Sequence, residues 1–178
     1  MWTRSDVIGI AKASCDFCHG YGLRPTLHGA DFPCGCVFRA IFRICYGRYR
    51  ECHAMAARVM PITWDRNHGT SGYRYFSRKR EEYAADFCLV SRRVLSGRDY
   101  DLFRLHFLAG HDWRICCPAL RMERGAFFHH VYLITERLGR AFGELRPYPL
   151  YPVDQYFGTE SAVWMPPPEA PVPPRRVA

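Results

Sequence analysis

"DYDLFRLHFLAGHDWRICCPALRMERGAFFHHVYLITERLGRAF", residues 99–142, is the stretch on which the fold turns. Leu102, Phe103, Leu105, His106, Phe107 and Leu108 predict a short, almost wholly apolar helix that ends at Gly110. Asp112 is a candidate N-cap for a second segment, WRICCPALR. Beyond Met122, the apolar residues Phe127, Val131, Ile134, Leu138 and Phe142 recur at helical spacing, and Leu145, Arg146 and Pro147 stop the run. Upstream, Tyr83, Phe87, Val90 and Val94 fall at i, i+4, i+7 and i+11, which predicts a helix over about 78–95, broken by SGRD at 96–99.

A short helix, a tight turn and a longer amphipathic helix form the layout of a helix-turn-helix. If Phe127, Val131 and Ile134 face the core, then Arg124, Ala126, Phe128, His129 and Tyr132 lie on or near the exposed face. An exposed Phe128 beside His129 is costly in water. It makes sense if Phe128 touches thymine methyls and His129 reaches a base edge or a phosphate. Arg121 and Arg124 flank the turn, where phosphate contacts form. The alternative is a plain helical hairpin with Phe128 packed on another element.

Residues 99–142 resemble region 4 of bacterial sigma factors. Leu102 to Leu108 matches the apolar helix before the motif. Trp113, Cys116 and Leu120 match buried positions of its first helix, Met122 the apolar turn residue, and ERGAFFHHVY the start of the recognition helix. The resemblance covers about 45 residues, or about 65 with the preceding helix, and is one of residue types rather than identities. It implies docking on double-stranded DNA and, as a further partner, RNA polymerase. The chain departs from the pattern at Pro118, inside the first motif helix, which either bends that helix or moves its start to Cys116. The exposed face lacks the Arg/Gln/Lys set usual in sigma factors, and no other sigma region is visible. Phage antitermination proteins of the Q type also join such a fold to a compact basic chain, some with a CxxCxG zinc motif. This chain is similar to them in both respects.

Cys15-x-x-Cys18 is followed, after 15 residues, by Cys34-x-Cys36. Two close pairs at that separation suit four thiolates around a structural zinc ion with no open position. The first pair, CDFCHGYG, resembles the CxxCxGxG knuckle of DnaJ-type zinc domains. Gly20 and Gly22 stand where backbone amides must turn toward sulfur. The second pair departs from that family, and a single unit implies no chaperone role. A redox pair needs a helix that these glycines oppose, and unliganded thiols remain an alternative. Cys36 opens a candidate helix to Val59, on which Cys45, Cys52 and His53 are alternative ligands or core packing; His19 and His28 are reserve ligands.

The rest of the chain sets the context. The 178 residues carry a net charge of +8, and 23 of the 25 basic residues are arginine. Arginine forks onto phosphate and stacks on bases, so the balance favours nucleic acid, although a GC-rich genome also enriches arginine. The N-terminal stretch has too short an apolar run for a signal peptide, and no stretch approaches the ~18 apolar residues of a membrane span. A cytoplasmic protein is expected, whose cysteines bind metal rather than pair. No phosphate-binding glycine loop, nucleophile elbow or HExxH occurs. The histidines 129 and 130 point ~100° apart on a helix, against a shared metal, so no enzyme and no small-molecule substrate is expected.

The expected architecture is mainly α. A zinc-knuckle region with its helix occupies 1–60, a connector 61–76, a helical helix-turn-helix domain 77–146, and a Pro-rich, partly disordered tail 147–178. The expected function is a zinc-stabilised, DNA-binding transcription regulator. The rivals are a zinc-dependent protein-interaction adaptor and a small metal-dependent nuclease.

Overall fold

A computed structural model describes residues 2–25, 31–58, 71–147 and 149–158, with side chains except at 55–58 and 71–77. The elements run α1 Arg4–Val7, β1 Leu23–Pro25, β2 Asp31–Pro33, α2 Gly35–Arg58, α3 Ser71–Val94 and α4 Gly97–Phe103. A π-helical turn, Arg104–Leu108, continues α4, and α5 Trp113–Leu120, α6 Arg124–Glu144 and α7 Val153–Phe157 follow. The fold is mainly helical, with one antiparallel two-stranded sheet in which Leu23 faces Pro33. Among the described residues no helix is long and apolar enough to cross a membrane.

The core is built where α2 lies against α6. Ile134, Leu138 and Phe142 of α6 are fully buried, as are Val37, Phe38 and Ile41 of α2. Gly139 sets the spacing: a Cβ at that position would fall inside the van der Waals envelope of the Phe38 carbonyl oxygen. The two helices therefore touch backbone against backbone. Around this contact the rings of Phe42, Phe87, Phe103, Phe107 and Phe142 interlock, with Phe42 5.0 Å from Phe107 and Phe87 4.9 Å from Phe142. Such pairs add to the area they bury. One core runs from Val7 to Phe157, so the knuckle's helix and the later helices are not packed separately.

The stretch 99–142 has the expected order of elements. The Asp112 carboxylate accepts the backbone amides of Arg114 at 2.9 Å and Ile115 at 3.3 Å, capping α5. The helix starts at Trp113, not at Cys116, and holds Pro118 on its exposed side. Before it, the Ala109 amide reaches back five residues to the Arg104 carbonyl (2.9 Å), and this π-helical turn precedes Gly110.

Arg121 closes α5 in the left-handed conformation, φ 49°. The amide of Met122 bonds to the Cys117 carbonyl at 3.0 Å and that of Arg121 to Pro118 at 3.2 Å. This is a Schellman ending, in which glycine is the usual left-handed residue. Arg121→Gly should therefore leave the melting temperature unchanged or raise stability by up to about 1 kcal/mol, checked by thermal denaturation.

Two boundaries differ from the sequence reading. Helix α3 begins at Ser71, about seven residues before the expected start near 78 and inside the stretch expected to be a connector; 61–70 lie outside the described residues. The proline-rich segment also returns to the core before 159. Leu150 and Phe157 are buried, the Leu150 amide bonds to the Phe142 carbonyl at 3.0 Å, and the Tyr156 hydroxyl donates to Asp86 at 2.7 Å. The disorder expected for the tail concerns 159–178, which lie outside the described residues.

Candidate metal centre and candidate nucleic-acid interface

Four sulfur atoms meet between the N-terminal turn and the start of α2. Cys15 and Cys18 come from the turn after α1, Cys34 follows β2 directly, and Cys36 is the second residue of α2. The short sheet folds the two pairs together: the Cys34 amide bonds to the Gly22 carbonyl at 2.8 Å. The turn needs left-handed backbone at His19 (φ 48°), Gly20 (φ 84°) and Gly22 (φ 84°). Gly22 also has no room for a side chain, since a Cβ would stand 2.7 Å from Val7 Cγ2.

The four Sγ atoms lie within 4.8 Å of one another, and all four residues are buried. Cys15 and Cys34 are 3.8 Å apart and Cys18 and Cys36 3.6 Å. A tetrahedron with metal–sulfur bonds of ~2.3 Å has edges of about 3.8 Å. The spacing thus fits a tetrahedral metal ion, and the four ligands would close its coordination shell.

The electrostatics agree. Burial opposes the Cys15 thiolate, but the amides of Phe17 and Cys18 and the neighbouring thiols bring its pKa down to about 6. Burial pushes Cys36 up to about 12 despite the Lys12 amide aimed at it, and burial also raises Cys34. The protein alone stabilises one thiolate well and opposes the next ones, a conflict a dication removes.

The reserve ligands stand elsewhere. Cys45 is buried in the core with its thiol toward the Leu150 carbonyl (3.7 Å), and Cys52 is buried along the same helix. Burial raises both thiols, Cys45 to about 12. His53 packs its ring 6.0 Å from Tyr49. His19 is exposed, and His28 lies outside the described residues. Among the described residues the four-cysteine group is the one cluster of this kind.

The residues selected for DNA contact share the N-terminal half of α6 and the turn before it. Arg121, Arg124, Ala126, Phe128, His129 and Tyr132 are all exposed, Phe128 by 48%. Two are less free than the sequence implies. The Arg124 guanidinium lies 4.9 Å from the Trp113 ring and 5.8 Å from Phe128. The Tyr132 ring lies 3.8 Å beneath Arg39, which also pairs with Glu136. Trp113, expected at a buried position, is half-buried and also has Arg114 5.4 Å away. Ile115 and Leu133 are exposed on the same helices and carry no signal beyond breaking the apolar period.

His130 does not join His129. Its Nδ1 contacts Asp99 at 2.7 Å, and Arg137 meets the same carboxylate at 2.8 Å, which ties α4 to α6. The two rings stand 6.3 Å apart, nearly perpendicular. Comparison with protein-family models, curated proteins and solved structures gave no significant match.

Proposed function

We propose that this chain is a cytoplasmic DNA-binding transcription regulator braced by a structural zinc ion. In this reading α5, the turn at Arg121–Glu123 and α6 act as a helix-turn-helix of the sigma-region-4 kind. The N-terminal half of α6 enters the major groove of double-stranded DNA, and Arg121 and Arg124 hold phosphates. Phe128 meets thymine methyls and His129 reads a base edge. RNA polymerase is the further partner, by analogy with the sigma factors and phage Q-type antitermination proteins that the sequence resembles. Cys15, Cys18, Cys34 and Cys36 would hold the zinc, which supplies folding energy and no open coordination position.

The observation that carries the reading is the exposure of Arg124, Phe128 and His129 together on the first turns of α6, in a chain of charge +8. Its test is duplex affinity against salt. Affinity should fall steeply as salt rises, and Arg124→Ala should lower the log–log slope by about 0.9. Arg124→Ala with His129→Ala should weaken specific binding by about tenfold or more, with thermal stability nearly unchanged. Unchanged binding would assign recognition to another surface. The adaptor reading draws on the exposed Ile115, Phe128 and Leu133; a flat salt dependence would favour it.

A further inference from the structure

We propose that the cysteine knuckle is a second binding surface, a stacking platform for unpaired bases of single-stranded nucleic acid. Its parts are the rings of Phe17 and Tyr21 with the guanidinium groups of Arg24 and Arg4. Phe17 sits between two sulfur ligands and is 61% exposed, more than any other large apolar side chain described. Tyr21, four residues on, is 43% exposed. Neither ring contributes to the buried core.

Both rings stand on a fixed backbone. The Phe17 amide points at the Cys15 sulfur, and the Tyr21 amide bonds to the Cys18 carbonyl at 2.7 Å. A ring held in place loses little freedom when a base stacks on it. Arg24 from β1 lies 5.0 Å over Phe17, and Arg4 from α1 lies 4.2 Å over Tyr21. Neither arginine has a carboxylate partner among the described residues. Asp6 is engaged by the amide and hydroxyl of Thr3, which leaves Asp16 as the exposed acid beside Phe17.

This chemistry selects the occupant. A paired base hides its faces within the duplex, whereas an unpaired base offers one to an aromatic ring while arginine takes the adjoining phosphate. Four thiolates and a dication leave two negative charges, but these are buried and met by the Phe17, Cys18, Cys36 and Lys12 amides. Arg4 and Arg24 are exposed, and the chain's charge of +8 attracts a polyanion.

Fluorescence anisotropy of the full-length, metal-loaded chain with labelled oligo-dT and oligo-U tests the proposal. Both strands should bind, Phe17→Ala should weaken each by about tenfold, and Phe17→Trp should retain binding. Asp16→Asn should tighten it. The melting temperature should not move, because Phe17 is exposed, and duplex affinity should survive Phe17→Ala. That separates this surface from α6, whose failure would remove duplex binding alone. Stronger binding to oligo-U would add a 2′-hydroxyl contact and support the proposal. Wild-type protein without single-strand affinity, or Phe17→Ala binding as wild type does, would overturn it, as would capture of protein partners alone.

Discussion

Cys34→Ser, or removal of the metal by a chelator, is expected to unfold the segment before α2 and to lower overall stability drastically. Residues 2–25 and 31–34 contain a four-residue helix and two three-residue strands. Their buried apolar residues besides the cysteines are Val7, Leu23 and Pro33, with Trp2, Ile10, Ala11 and Phe32 partly buried against the core. So little core cannot hold about thirty residues in order, since each costs ~1–2 kcal/mol of backbone entropy. A metal ion held by the four sulfurs would supply the difference, ~10 kcal/mol or more for a site of this kind. A whole domain is stable by only ~5–15 kcal/mol. The loss should extend beyond the knuckle, because Val7 and the start of α2 belong to the same core as α6. Metal analysis should return one ion per chain for the native protein and none for Cys34→Ser. Circular dichroism should show the transition falling on chelation. A chelated chain that melts as the loaded one does would show the metal to be dispensable.

Gly139→Ala should be strongly destabilising, by roughly 3 kcal/mol. In an ordinary helix interior this change stabilises by ~1 kcal/mol. Here the new methyl meets the Phe38 carbonyl oxygen, a backbone atom that cannot turn aside. Relief requires α2 and α6 to separate, which loosens the Phe42–Phe142 stack (6.2 Å) and the burial of Ile134 and Leu138. Strain and lost packing then add. Gly47 is the control: it lies in α2, and a Cβ there would have nothing within 4 Å, so Gly47→Ala should stabilise slightly. Urea denaturation of the two variants checks both signs.

These cases show what a single sequence makes legible. The Asp112 cap, the apolar period of α6 and the paired cysteines are local signals: each is decided by neighbours a few residues away, and each is found in the fold. The gathering of Cys15, Cys18, Cys34 and Cys36 follows from spacing because two short pairs leave few other arrangements. Gly139 gives no such signal, since a glycine in a helical period looks like a weak point until the partner helix is in place. The prolines around residues 149–158 forbid long regular structure but not burial, and Leu150 and Phe157 are buried. Phe17 looks like a spacer between ligands in the sequence, because exposure is a property of the folded turn. The environment of Arg124 is hidden likewise: its Trp113 neighbour lies eleven residues back and meets it only through the turn at Arg121.

Whether the first turns of α6 read duplex DNA is tested most directly by selection of bound sequences from a random double-stranded pool. The native chain is set beside the Arg124→Ala/His129→Ala variant, each with and without RNA polymerase. The native chain should enrich one sequence, and the variant, though folded and metal-loaded, should not. Enrichment of the same sequence by both, or of none by the native chain under either condition, would contradict duplex reading by α6.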